Sequence, residues 1–248
     1  MLDDNKSKKD KEPSQATKLT AMAQALYKLG ITPEGKPYAY RENTPHIAMM
    51  LKGGQLGLRQ TLARDYHRAE KMAPSQGSLN DALAVLEGIA REQVPQPLHI
   101  RVAGDDTAAV IDMADEYNNV ITIANGDWGL HSKSPYIFRR TELTAPTAMP
   151  YRARTGELGK LWNQINIAPE DQPILLAVAV DALIQPDTPK PVLCFLAEHG
   201  SAKSTTAKRL VSLIDPSSVP LRAAPRDQQQ WLTAATGSRV VAIDNLST

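Results

Sequence analysis

The sequence predicts an α/β fold, with a helical N-terminal region and a small antiparallel β meander placed ahead of a C-terminal parallel sheet. Three observations carry this. Apolar residues recur at helical spacing up to about residue 93, short alternating segments split by turn residues follow Pro97, and two apolar runs near the end (192–196 and 240–243) are separated by helical patterns. At 248 residues, with Lys+Arg 28 against Asp+Glu 27, the composition is that of an ordinary soluble protein. The near-zero balance excludes a global field for nucleic acid or membrane, so any nucleic-acid contact must be local. A single cysteine, Cys194, excludes an intramolecular disulfide and argues against a cysteine-based metal site, and the expected compartment is cytoplasmic.

Residues 1–15 are polar and charged without an apolar core, which reads as a disordered tail and not a signal peptide. The region 16–96 is expected to be mostly helical. Leu19, Met22, Ala23, Leu26 and Leu29 share one face, with Gly30 as the expected C-terminal cap. The proline- and glycine-bearing stretch 31–54 suits turns and a hairpin. Leu58, Leu62 and Tyr66 mark a second helix between Leu56 and Met72. Its opposite face carries Arg59, Arg64, His67 and Arg68, for which a solvated face outweighs nucleic-acid contact because Asp65 and Glu70 interrupt it. Ser78 with Asp81 is expected to cap a third helix over Ser78–Gln93.

Residues 97–143 form the expected β module, with strands at Leu98–Ala103, Ala109–Met113, Val120–Ala124 and Trp128–Leu130 and an edge strand at Ile137–Arg139. Asp105, Asp106, Asp112 and Asp115 match no cation-loop spacing and read as turn chemistry, and His99 and His131 lack ligand spacing. Residues 144–187 are a linker and two helices, Thr155–Ile167 and Pro169–Ile184. The apolar run 174–184 is about half the length a bilayer crossing needs, so no membrane partner is expected.

The chemistry concentrates in residues 188–248. Val192–Leu196 reads as a buried parallel strand, and it breaks into the small-residue turn AEHGSAKST. The phosphate-loop pattern G-x-x-x-x-G-K-[ST] is met only with Ala197 and Ala202 in place of its glycines, while Gly200 stays inside the loop. A helix over Lys203–Ile214 then begins where such a loop needs a positive helix N-terminus. A short segment (Val219–Arg222) and a helix capped by Asp227 and Gln230 and ended by Gly237 follow. Arg239–Ile243 is an apolar strand ending in Asp244, a carboxylate where a nucleotide site places its magnesium partner.

The segments AEHGSAKSTTAKRLVSLIDP, PLRAAPRD and VVAIDNLS resemble the P-loop ATPases of the AAA+ and superfamily 3 helicase type found with primase-helicase modules of phages and bacterial mobile elements. PLHIRVAGDD and NGDWGL resemble the region upstream of that core, so the likeness covers about three quarters of the chain. It implies an incomplete parallel P-loop NTPase sheet that binds ATP and Mg²⁺. Gly200, Ser201, Ala202, Lys203, Ser204 and Thr205 are the implied phosphate cradle, Lys203 and Asp244 the implied catalytic pair, and Ser204 and Asp244 the implied metal ligands. It further implies single-stranded or replicating DNA as partner and a homo-oligomeric ring.

Asn245 stands where the family carries a glutamate that activates water, so binding is expected without secure hydrolysis. The family continues through a sensor strand and an arginine finger, which makes a C-terminal truncation the expectation here. Arg222 and Arg226 suit surface solubility better than an arginine cluster. Two other readings remain open. One is a DNA- or partner-binding module with a vestigial nucleotide site, and the other is a small P-loop kinase.

Overall fold

The computed structural model describes residues 12–152, 157–184, 188–198 and 200–245, and the chain divides into two compact units. The first holds Met1–Glu42 and Met50–Gln96. Its helix α1 (Gln15–Leu26) is opened by Ser14, whose hydroxyl accepts from the Thr17 amide at 3.2 Å, and buries Leu19 and Ala23. The helix ends before Gly30, which was expected to cap it. Tyr27 is already extended, and β1 (Lys28–Ile31) pairs antiparallel with β2 (Pro37–Arg41), setting Gly30 opposite Tyr38. A Cβ at Gly30 would lie 2.4 Å from Tyr38 Cζ, so close cross-strand packing, not helix termination, requires the glycine.

Helices α2 (Leu58–Glu70) and α3 (Gln76–Arg91) complete this unit, burying Leu58, Leu62 and Tyr66 on one and Leu79, Leu83 and Leu86 on the other. The cap of α3 is Ser75 and not Ser78, because the Ser75 hydroxyl accepts from the Ser78 amide at 3.1 Å. The basic face of α2 is partly used within the unit, where Arg59 donates to Asn80 at 2.6 Å. A triad closes the hairpin against α2. The Tyr27 hydroxyl donates to Asp65 at 2.6 Å, and Arg41 donates to the same carboxylate oxygen at 2.6 Å. Burial and then the Asp65 carboxylate push the Tyr27 phenol well above its ordinary range.

The second unit holds Asn43–Met49 and Pro97–Thr248. Here β3 (Thr44–Met50), β4 (Leu98–His99) and a later strand β9 (Ile137–Arg139) are parallel, with β9 in the middle: Phe138 pairs with Ile47 on one side and His99 on the other. The strand expected at an edge is therefore central, and Phe138 is fully buried. The expected strand Leu98–Ala103 is split by Arg101, which has a left-handed backbone (φ 63°), into β4 and β5 (Val102–Gly104). Strand β5 opens the antiparallel meander that runs through β6 (Ala108–Asp112), β7 (Val120–Ala124) and β8 (Asp127–His131), as the alternation predicts. The turn carboxylates act as read. Asp105 accepts from the Thr107 and Ala108 amides, and Asp115 from the Asn119 amide. Asp112 is instead a buried ion partner of Arg140, at 2.7 Å.

Beyond the meander, α4 (Gly159–Trp162) is shorter than the helix expected over Thr155–Ile167, of which residues 155–156 lie outside the described set. A 3-10 turn (Pro169–Asp171) leads into α5 (Gln172–Ile184). Helix α5 is apolar nearly all round and meets two clusters, while Ile174 and Val180 stay exposed. Leu183 reaches the meander core of Val102, Ile111, Met113 and Ile121, while Leu175 packs with Ile165 and Leu210. Helices α6 (Lys203–Ile214) and α7 (Gln228–Gly237) follow, each with the bounds its periodicity and caps predict. Among the described residues no helix is long and apolar enough to cross a membrane.

Candidate functional site

Val192–Leu196, expected as a buried parallel strand, forms no ladder among the described residues. It keeps the alternation of a strand, with Leu193 and Phe195 packed against the Ile165–Leu175–Leu210 cluster, but Val192 is 88% exposed, Leu196 92%, and Cys194 is exposed. Its apolar composition is that of a strand covered on both faces, and among the described residues only one face is covered.

The turn that follows uses two left-handed residues, Gly200 (φ 83°) and Ala202 (φ 64°). Gly200 adopts this at no steric cost, and a Cβ built there meets nothing within 4 Å, so the turn is open on that side. Ala202 pays for the same conformation, on the order of 1 kcal/mol. It also offers no side-chain cap to the first-turn amides of α6. Asn166 steadies the turn by donating to the Ser201 carbonyl at 3.0 Å.

Lys203 curls back over this loop. Its Nζ donates to the Ala197 carbonyl, to the Glu198 carbonyl at 2.7 Å and to the Ser201 hydroxyl at 3.3 Å, a cluster of oxygens held by one ammonium. On the next residue, the Ser204 hydroxyl donates to Asp244 Oδ1 at 2.9 Å, joining two predicted site residues forty positions apart. Thr205 is exposed on the first turn of α6.

The segment carrying Asp244 forms a single parallel bridge, Ile243 to Arg222, where a full strand was expected. Its backbone is nonetheless held at both ends: the Arg222 amide donates to the Ala242 carbonyl and the Asp244 amide to the Arg222 carbonyl, each at 3.0 Å. Beside Asp244 lies an open cleft of about 340 Å³ bordered by Leu221, Arg222, Ala224 and Asn245. Asn245, at φ 55°, donates its amide to Asp244 Oδ1 at 3.1 Å. Arg222 is committed structurally, its guanidinium donating to the Ser238 hydroxyl.

The donor set fits a phosphate chain with Mg²⁺. Ser204 and Asp244 supply two hard oxygens, Lys203 supplies a cation, and the open turn at an uncapped helix N-terminus suits an anion. Among the described residues no group of three or more His, Cys, Asp or Glu could hold a metal ion. Sequence reasoning missed the buried pair of Arg101 and Asp215, joined at 3.0 Å. Its signal was an arginine between Ile100 and Val102.

The class these features define is a mixed α/β protein whose C-terminal unit sets a glycine-bearing turn and helix N-terminus beside a carboxylate. Residues 158–248, which hold every predicted site residue, match the family model described as actinomycete integrative conjugative element replication protein. The match spans less than half of the chain, and it supports a replication-associated protein of a mobile element. No curated protein matches the chain.

Proposed function

We propose that this chain is an ATP-binding protein acting in replication of a mobile element, with residues 200–205 as phosphate cradle and Ser204 and Asp244 as the Mg²⁺ partners. The observation that carries the reading is the Ser204–Asp244 hydrogen bond at the uncapped N-terminus of α6, beside a lysine that grips its own loop. On binding, Lys203 exchanges those loop acceptors for phosphate oxygens, and the first-turn amides take the charge of the phosphate chain. Bound Mg²⁺ would supply charge neutralisation across the phosphates.

Asp244 is the acidic partner, while Asn245 brings no base to orient water, so binding outlasts turnover in this chain. In the helicase-like reading, nucleotide binding serves work on single-stranded or replicating DNA by a ring of copies. Asn245 also favours a second reading, in which the site is a non-hydrolysing nucleotide sensor on a DNA- or partner-binding module.

Titration of the full chain with a fluorescent ATP analogue and Mg²⁺ tests the proposal. Wild type is expected to bind and Lys203→Ala to bind at least about tenfold more weakly, since a phosphate-gripping cation contributes one to several kcal/mol. No binding by the wild type at millimolar nucleotide would sink the reading. ATPase activity stimulated by single-stranded DNA would separate the motor from the sensor.

A further inference from the structure

We propose that Asp215 is a positioning residue for the Ser204–Asp244 pair, held in orientation by the buried Arg101; the inference rests on the nucleotide reading above. Asp215 is the C-cap of α6 and is 4% exposed. One carboxylate oxygen accepts from Arg101 Nε at 3.0 Å, and the other accepts from the amides of Arg239 at 2.7 Å and Val240 at 3.2 Å. A single side chain therefore joins the end of the helix whose first turn carries Ser204 to the beginning of the segment that ends in Asp244. Helix α6 is a rod of 12 residues, about 18 Å long, so its foot cannot shift without its head following. The Asp244 segment, with a single bridge and no full strand, depends on such point anchors to keep its place.

Arg101 cannot swing away. Its side chain is 0% exposed, and the rest of the guanidinium donates to the Asp112 carbonyl at 3.0 Å, Thr147 Oγ1 at 3.1 Å, the Ala145 carbonyl at 2.8 Å and the Pro216 carbonyl at 3.0 Å. A left-handed arginine backbone is retained only where its surroundings over-determine it, and these bonds do so. The chain of contacts runs from meander to Arg101, to Asp215, to both arms of the candidate site, within one compact unit. The β module thus sets the geometry of the metal-binding pair and does not merely precede it.

The test is titration of a fluorescent ATP analogue into wild type, Asp215→Asn and Arg101→Lys, with Mg²⁺ and with EDTA. Both variants are expected to lose about tenfold in the Mg²⁺ titration, the size typical of groups that orient metal ligands, and to stay within about twofold of wild type in EDTA. The double variant Asp215→Asn with Asp244→Ala is expected to bind no more weakly than Asp244→Ala alone. Equal losses with and without Mg²⁺, or additive losses in the double variant, would reduce Asp215 to a general support of the fold and overturn the proposal. Wild-type binding with unaffected variants overturns it while leaving the nucleotide site standing; absent wild-type binding removes the site itself. Should the variants unfold, hydrogen exchange on the wild type decides. Mg²⁺ and nucleotide together are expected to slow the Arg239 and Val240 amides, and no slowing refutes the coupling.

Discussion

Replacing Phe138 by alanine measures what the central position of β9 is worth. The ring is fully buried among Ala103, Val110 and Val120, with Ile47 and Tyr136 alongside and His99 6.3 Å away between ring centroids. Because β9 is paired on both sides, through Ile47 and His99, the backbone cannot close over the lost volume. Both the transfer and the cavity contributions then apply, about 3–5 kcal/mol for a buried phenylalanine. Had the strand lain at an edge with its ring half exposed, the cost would be about 1 kcal/mol.

The three tryptophans, Trp128, Trp162 and Trp231, all belong to the second unit, so their fluorescence during urea unfolding reports that unit alone. Phe138→Leu, which preserves most of the volume, should cost under about 1.5 kcal/mol. An alanine variant that loses less than about 1.5 kcal/mol would refute the argument, since no fully packed aromatic is removed so cheaply.

Gly30→Ala should destabilise the first unit by about 1–3 kcal/mol, because the new methyl meets the Tyr38 ring, itself buried and unable to retreat. Faster hydrogen exchange of the α1 and α3 amides, by about tenfold or more, is the readout, and unchanged exchange would return Gly30 to an ordinary cap. Asp105 is held at about 2, below its ordinary 3.8, first by the Thr107 hydroxyl and amide and then by the Tyr136 hydroxyl and Ala108 amide. A lowered carboxyl stabilises the native meander above its unfolded value, and that contribution disappears as pH falls through about 2. Tyr136→Phe should raise the Asp105 midpoint in an NMR titration; an unmoved midpoint would remove Tyr136 from the account.

The elements legible in the sequence were those whose signals act within a turn or two. Asp227 caps α7 by accepting from the Gln230 amide at 2.8 Å, four residues bound both its signal and its contact, and the helix runs to Gly237 as read. The apolar face of α6 was equally local. Misreadings occurred where two elements competed for one residue. Leu29 continues the periodicity of α1 and Gly30 suits its cap, yet the cross-strand fit to Tyr38 takes them into β1. Ser75 and Ser78 are both competent caps, and the backbone turns at the earlier one. Val192–Leu196 has a strand's composition, but composition does not supply a neighbouring strand.

By itself the sequence determined helices α6 and α7, the turns of the meander and the residue types of the candidate site, because caps, periodicity and turn chemistry act over a few residues. Only the tertiary structure decided that Phe138 lies on a strand paired on both sides, that Arg101 breaks a strand to reach Asp215, and that Ser204 meets Asp244. Those outcomes depend on burial and on hydrogen bonds between segments forty to more than a hundred residues apart, for which local propensity carries no information.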